Sequence, residues 1–312
     1  MIQPFPQRVL FLVGPTASGK SRLSLDIAEW IDIEIVSADS RQVYRTMDIG
    51  TAKPFREELE RIPHHLIDTC MPDEAFSAGA YGRLAREAIA SILARGKTPV
   101  VVGGSGLYLR AVADGVFEGP FRDDAVRERL NAEAEREGTE SLYERLSKID
   151  PDAAARIHPN DRKRLVRALE VFELSRQPIT YIQKTRTAPG DFEARFYGLD
   201  WPRVQLCRRI EERVDRMVQS GLVREVQILK EKGFGPELNA LDSVGYKEVF
   251  QFLEGGMSFG EMVLLIKQRT RRFAKRQMTW FRQDERIQWI PLEEPVNWKD
   301  LAERVVRDFQ SR

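Results

Sequence analysis

One octapeptide in this chain of 312 residues has the residue types and spacing to hold phosphate. Gly14-Pro15-Thr16-Ala17-Ser18-Gly19-Lys20-Ser21 fits G-x-x-x-x-G-K-[S/T], the P-loop pattern. The apolar, partly β-branched run Val9-Leu10-Phe11-Leu12-Val13 precedes it and reads as a buried parallel strand. Leu23, Leu25, Ile27 and Ala28 follow at positions that suit a helix. Strand, glycine loop and helix start together make an anion site, because backbone N–H groups point inward and the helix dipole favours negative charge. In that site Lys20 reaches phosphate oxygens and Ser21 holds a Mg²⁺. A plain glycine turn would not require Lys20 and Ser21 in register. The motif names a diphosphate or triphosphate binder and leaves the reaction open.

Other residues could act beside it. Residues 33–38 read as a second strand, and Asp39-Ser40-Arg41-Gln42 follow at its carboxyl end, where open α/β sheets keep their chemistry. Asp39 is either a catalytic or substrate-binding acid or the cap of the next turn. After the strand at 98–102 comes a second glycine loop, Gly103-Gly104-Ser105-Gly106-Leu107-Tyr108. It is either a tight turn needing positive φ or a close approach of backbone and Ser105 hydroxyl to a ligand. Lys53 is either a phosphate contact or a solvated charge. His64 and His65, in a short strand expected over 64–68, point to opposite faces and are no natural metal pair.

The elements that must position these residues follow a strand–loop–helix rhythm. The expected class is α/β: a P-loop NTPase-like core with a parallel sheet flanked by helices, plus an inserted all-helical domain. Composition shifts near 115–120, and from 123 to 186 the pattern is helical and charged with no convincing strand. The expected boundaries are a discontinuous core at 1–118 and 196–312 and a helical insertion at 119–195. In the insertion, Asn160 or Asp161 caps a helix that buries Leu165, Leu169 and Phe172 and turns Lys163, Arg164 and Arg167 away. Residues 207–232 carry the apolar stripe Ile210, Val214, Met217 and Val218, broken at Gly221. Residues 241–247 read as a polar turn. Ile266, Phe273 and Trp280, seven apart, are expected to face inward from one helix. Trp289 and the stretch 291–295 are expected to lead to a short terminal helix.

Hydrophobic residues make up 42% of the chain and charged residues 31%, as in an ordinary soluble globular protein. No apolar run approaches the ~20 residues of a membrane span. Residues 1–8 hold no long apolar stretch, so no secretory leader is expected. Cys70 and Cys207 form no metal or redox spacing, and a reducing cytoplasm is the simplest expectation. The net charge is +1, but it is unevenly spread: residues 266–282 hold seven Lys or Arg and no acid. Arg162, Lys163, Arg164 and Arg167 form a second basic group, while Glu133, Glu135, Glu137 and Glu140 gather acid elsewhere. Segregated charge suggests a side that faces a polyanion. In that setting Trp280 and Phe281 either stack on bases or pack in the core.

With these motifs in view, the chain resembles the bacterial tRNA dimethylallyltransferase family, the tRNA isopentenyltransferases. The resemblance runs nearly end to end: GPTASGKS at 14–21, SADSRQVYRTMDIGTAKP at 37–54, GGSGLY at 103–108, IHPNDRKRLVRALEVFELS at 157–175, SVGYKE at 243–248 and TRRFAKRQMTWFR at 270–282. It implies transfer of a dimethylallyl group from dimethylallyl diphosphate to N6 of adenosine 37, beside the anticodon, with diphosphate leaving. It implies Mg²⁺ as cofactor, residues 14–21 as the diphosphate or nucleotide site, and Asp39 as the general base. Ser105, where the family usually has Thr, keeps a hydroxyl for an active-site contact. The stretches that contact tRNA in the family correspond here to Asp39, Ser40, Arg41 and Gln42; to Lys163, Arg164, Leu165, Val166 and Arg167; and to Asp242, Ser243, Val244, Gly245, Tyr246 and Lys247. Arg127 is a further contact. One departure is Gln227, where many members carry an arginine; if that arginine touches the diphosphate, its role here is lost or moved, with Arg224 one place for it.

Two other enzymes would use the same loop. An adenylate isopentenyltransferase shares the donor but takes a free nucleotide and needs no basic stretches. A small-molecule kinase would bind ATP. A nucleotide-switched RNA-binding protein would show an N-K-x-D motif, which is absent from the sequence. The expected partners are the tRNA anticodon stem-loop and dimethylallyl diphosphate. No membrane is involved, and the chain is expected to be a cytoplasmic monomer.

Overall fold

A computed structural model describes residues 7–117, 119 and 121–311. Residues 1–6, over which no leader is expected, and Pro120, in the compositional shift, lie outside them. The chain divides into two compact units, one of Met1–Ala113 with Gly190–Arg312, the other of Asp114–Pro189.

The first half of the α/β unit runs β1 (Arg8–Val13), α1 (Lys20–Ile27), β2 (Ile33–Ala38), α2 (Arg56–Arg61), β3 (His64–His65), α3 (Ala78–Ala94), β4 (Thr98–Gly103) and α4 (Gly106–Ala113). The helical unit holds α5 (Asp124–Glu137), α6 (Thr139–Ile149), α7 (Pro151–Ala154), α8 (Arg162–Ser175) and α9 (Ile179–Thr185). The chain then returns through β5 (Glu193–Asp200), α10 (Arg203–Gln219), α11 (Leu222–Glu231), α12 (Tyr246–Leu253), α13 (Phe259–Phe281), β6 (Ile287–Pro291) and α14 (Trp298–Ser311).

The strands form one sheet in the order β3-β2-β4-β1-β5-β6, every pair parallel. Successive side chains of a strand point to opposite faces, and both faces are covered. Val9, Phe11 and Val13 join Tyr81, Ala85 and Ile89 of α3 and Val249, Phe250 and Ile266 of the later helices. Leu10 and Leu12 join Leu23 and Ile27 of α1 and Leu301, Val305 and Phe309 of α14. This is why β1 reads as a continuous apolar run rather than an alternating one. Truncating Phe11, which is fully buried, would cost about 3–5 kcal/mol.

The order places the ends of β2, β4 and β1 side by side. Val13 is in register with Gly103, and Gly103 with Ala38. From β1 the chain goes outward to β2 and β3, returns to β4 and then crosses to β5. That reversal opens a crevice at the strands' carboxyl ends, and three loops meet there: 14–19 after β1, 39–42 after β2 and 104–105 after β4.

The helical unit has its own core, with Leu130, Leu142, Leu146, Leu165, Leu169 and Ile182 fully buried. Asp161, not Asn160, caps α8, its side chain accepting from the Arg164 amide at 3.2 Å.

Several expectations need correction. The expected insertion of 119–195 takes in Glu193–Arg195, but these residues pair with Arg8, Val9 and Leu10 in β5, and the helical unit is Asp114–Pro189. The strand expected over 64–68 stops at His65, because Leu66 and Asp68 take left-handed backbone (φ 64° and 53°). The strand β6 was not foreseen; it lies at the sheet edge with a mixed burial pattern, so its apolar signal is weak. The terminal helix is 14 residues long. On α13 the inward face is Met262, Ile266, Ala274, Gln277 and Phe281, while Phe273 and Trp280 are each 39% exposed. Trp280 lies five whole turns from buried Met262 and so on the same side of the helix; the side that is covered changes along α13, from Met262 and Ile266 to Ala274, Gln277 and Phe281.

Candidate active site

The P-loop folds as its residue types require. Gly14 (φ 146°), Ala17 (φ 64°) and Gly19 (φ 97°) have positive φ, and α1 starts at Lys20. At Gly19 glycine is obligatory twice over, since an added Cβ would also lie 2.3 Å from the Trp298 ring. Lys20 Nζ donates to Gly14 O at 2.9 Å and Pro15 O at 2.8 Å. Its ammonium therefore lies over the loop, where a phosphate oxygen would compete with these carbonyls.

A cavity of about 400 Å³ opens from the loop. Thr16, Lys20, Ser21, Asp39, Ser40, Arg41, Gln42, Ser105, Arg213, Tyr246 and Gln277 are among its lining residues. Asp39 fits both of its alternatives. Its Oδ1 accepts from the Arg41 amide at 2.8 Å and the Gln42 amide at 3.4 Å. Its Oδ2 receives no hydrogen bond from the described residues, so one oxygen caps the turn and the other remains available. The Ser105 hydroxyl accepts from the Ser40 amide at 3.0 Å, which keeps its proton for donation. Gly103 is required at the strand crossing, since a Cβ would fall 2.1 Å from Ala38 O.

The electrostatics point to an anion. Burial, with the Arg213 guanidinium adding to it, pushes Lys20 down to about 7, and Asp39 opposes them. Burial also lowers Arg213, against the pull of Asp39. The Arg213 Nε is buried with no hydrogen-bond partner. An orphaned cationic donor is costly unless an acceptor arrives. Arg213 is the residue that sequence reasoning missed. Its signal was present: Arg209, Arg213 and Arg216 recur at i, i+4 and i+7 along α10, and all three line a second cavity of about 270 Å³ that also includes Lys20 and Ser21. The apolar stripe of the same helix is the stronger pattern, and its Ile210 and Val214 are buried. The departure at Gln227 is not made good by Arg224, whose exposed guanidinium pairs with Glu231 at 3.2 Å.

The cavity wall at 48–50 is held by Glu225. Its Oε2 accepts from the Asp48 and Ile49 amides at 2.9 and 2.7 Å. Its Oε1 accepts from Gly50 N at 3.1 Å and Tyr246 Oη at 2.7 Å. The ring of Tyr246 lies on Gly50, where a Cβ would be 2.5 Å away.

Other predicted contacts have different settings. Lys53 is neither a phosphate contact nor a solvated charge: it is ion-paired with Asp48 and Asp68, each at 2.6 Å. Gln42 is internally satisfied, bonded to Ser37 and to the carbonyls of Thr51 and Ala52. The Arg41 guanidinium reaches the carbonyls of Asn239 and Ala240, joining the 39–42 turn to the polar stretch that includes Asp242, Ser243, Val244 and Gly245. Lys247 pairs with Asp242. Tyr246 is buried, so it shapes the cavity wall rather than an outer surface.

In the helical unit, Leu165 and Val166 are buried in the core, so their side chains cannot face a polyanion. Arg127 bonds Glu170 with both Nε (2.7 Å) and Nη2 (3.0 Å). Arg167 bonds the same carboxylate at 2.8 Å and lies 5.6 Å over the Phe117 ring. Burial alone would push Glu170 up, but the bonds from Arg127, the Asp123 amide and Arg167 hold it below the usual carboxylate range. Arg164 pairs with Asp161 at 3.3 Å. Lys163 is exposed and has no ion pair among the described residues.

No group of three or more His, Cys, Asp or Glu able to hold a metal occurs among the described residues. The Ser21 hydroxyl, in one cavity with Asp39, fits a Mg²⁺ whose other ligands are substrate oxygens and water, the usual habit of this hard ion. No helix among the described residues is long and apolar enough to cross a membrane.

Fold and cavity define a P-loop α/β protein with a cationic cavity flanked by an acid. The chain belongs to the IPP transferase family, whose profile matches residues 42–284. It is 50% identical to the tRNA dimethylallyltransferase of Geobacter metallireducens over 284 residues, 91% of this chain and 92% of that one. With the tRNA dimethylallyltransferase of Desulforudis audaxviator it shares 47% over 290 residues, 93% of each chain. A solved tRNA isopentenylpyrophosphate transferase from Bacillus halodurans superposes with a TM-score of 0.71 at 37% identity, covering 97% of both chains. A eukaryotic dimethylallyltransferase acting on tRNA superposes with a TM-score of 0.81 at 28% identity, covering 98% of this chain and 80% of that one.

Proposed function

We propose that this chain transfers a dimethylallyl group from dimethylallyl diphosphate to N6 of adenosine 37 in tRNA. The observation that carries the reading is the buried, partnerless Nε of Arg213, in one cavity with the P-loop, Lys20, Asp39 and Ser105. In the reaction the C1–O bond of the donor breaks, its electron pair leaves with diphosphate, and the N6–C1 bond forms. Lys20, Arg213 and the loop amides stabilise the charge that grows on the leaving group, a preorganised electrostatic effect. N6 is a weak nucleophile because its lone pair is delocalised into the ring. Asp39, through Oδ2, takes the N6 proton, and Ser105 donates to the donor or the base. A Mg²⁺ held at Ser21 would add charge neutralisation at the diphosphate, leaving Asp39 Oδ2 free for the proton.

Adenosine 37 must leave the anticodon stack to enter the cavity. Lys163, exposed and without an ion pair among the described residues, would meet phosphates of the anticodon stem-loop. On this reading the chain acts as a monomer, and its location follows that of the tRNA, the cytoplasm.

The test is a transfer assay with labelled dimethylallyl diphosphate and Mg²⁺. Unmodified tRNA bearing A36-A37, the same tRNA carrying G37, and free AMP are compared. Label on the A37 tRNA alone is expected. Label on AMP would move the protein to the free-nucleotide branch. No label, with ATP consumed, would make the cavity that of a kinase.

A further inference from the structure

Three side chains from separate parts of the α/β unit grip three of the four peptide groups between Pro15 and Gly19 of the P-loop. Trp201, just after β5, donates Nε1–H to Ser18 O at 2.8 Å. Arg209 of α10 donates Nε–H to Ala17 O at 3.0 Å. Gln277 of α13 accepts from the Thr16 amide at 2.9 Å and donates to Gly104 O at 2.9 Å. In a trans peptide the carbonyl of one residue and the N–H of the next point in opposite directions. Holding the Ser18 carbonyl outward therefore turns the N–H group of Gly19 into the hollow of the loop, and holding the Ala17 carbonyl fixes the peptide whose N–H, on Ser18, donates to Pro15 O at 3.3 Å and closes the turn. Gln277 works in the opposite sense. By taking the Thr16 N–H it turns the Pro15 carbonyl toward Lys20, which donates to it at 2.8 Å.

The loop needs outside support. Ala17 has left-handed backbone at φ 64°, a conformation that persists in a residue with a Cβ only when the surroundings over-determine it. The tethers are themselves fixed. Trp201 is 6% exposed, and the Arg209 guanidinium lies 4.4 Å over its ring. Arg209 also pairs with Glu294 at 3.2 Å. A side chain locked in this way can hold a peptide plane without reorganising when the ligand arrives, and preorganised donors are worth more than donors that must turn.

We propose that Trp201 and Arg209 are positioning residues for the diphosphate: they fix the loop whose amides receive it. The inference rests on the reading of the P-loop as a diphosphate site. Trp201 separates the tether from charge, because it carries none.

The test uses the full chain and inorganic diphosphate with Mg²⁺, by calorimetry, with wild type, Trp201→Phe, Arg209→Met, Arg209→Lys and Lys20→Ala. Trp201→Phe keeps an aromatic ring and carries no donor, at the cost of a smaller side chain in a buried position. It should weaken diphosphate binding about five- to tenfold, the worth of one hydrogen bond, and lower kcat/KM for the allylic donor by a similar factor. Its ligand-free thermal midpoint should fall because the core loses volume, while its tRNA affinity should stay at the wild-type value. Arg209→Met should lose more, and Arg209→Lys should recover part of that loss by returning a donor. Wild-type diphosphate affinity in both Trp201→Phe and Arg209→Met, with binding lost in Lys20→Ala, would overturn the positioning role alone. Parallel loss of diphosphate affinity and tRNA affinity in Trp201→Phe and Arg209→Met would reduce the two residues to general packing. No diphosphate binding by wild type would overturn the diphosphate reading and this inference with it.

Discussion

The helical unit and the α/β unit each bring arginines to a carboxylate, and they do opposite things with them. In the helical unit Arg127 and Arg167 converge on Glu170, whose side chain is fully buried, so the donors find their acceptor inside the fold. In the α/β unit Lys20 and Arg213 crowd together beside Asp39, and one buried Arg213 nitrogen has no partner. The first cluster is closed and holds helices together. The second is open and waits for an anion. A basic residue in a sequence therefore marks a ligand site only where the fold withholds its counter-charge.

Four measurements would break or sharpen that contrast. The largest effect is expected at the open cluster: Asp39→Ala should lower transfer by about 10²–10⁴-fold, the usual worth of a general base, with tRNA affinity kept. Equal loss of transfer and tRNA binding would make Asp39 a binding residue. At the closed cluster, Glu170→Ala should destabilise the helical unit by about 1–3 kcal/mol, since it removes the buried acceptor of two arginines that are themselves half-buried. Chemical denaturation would show this, while diphosphate affinity should stay unchanged.

The third concerns pH. Burial lowers free Lys20 to about 7, so it loses its proton as pH rises through that value. A bound diphosphate favours the charged form. Affinity should be fully present below pH about 7 and fall above it by up to about tenfold per unit, and titration calorimetry on wild type against Lys20→Met would reveal it. A flat profile would mean that Lys20 is charged throughout. The smallest effect belongs to Lys163: its replacement by Ala should reduce the slope of log affinity for tRNA against log salt by about one. Arg127→Lys, which keeps the charge, should leave that slope unchanged. The contrast fails if Arg127→Lys flattens the slope and Lys163→Ala does not.

Much of the site was legible in the chain itself. A P-loop is encoded by residues six or seven apart, and Asp39 and Ser105 follow strands whose apolar runs announce themselves. Periodicity was less reliable over longer helices. The seven-residue step put Phe273 and Trp280 inside α13, whereas the buried face there runs through Ala274, Gln277 and Phe281. Edge strand β6 and the start of β5 were hidden because partly exposed strands alternate weakly. Leu165 and Val166 sit in a stretch that reads as a contact motif, yet their side chains build the core.

The sequence by itself determined the strand–loop–helix of the anion site, the α/β class, the family and the existence of a separate charged helical unit. These depend on contacts between near neighbours, whose geometry is set by backbone preferences and spacing. Tertiary structure alone decided which charges are free. Arg213 lines the cavity because α10, far along the chain, returns to the P-loop, and Arg127 becomes structural because α5 meets Glu170 of α8. Burial and pairing are properties of the partner as much as of the residue, and the partner is chosen by the packing of the whole fold.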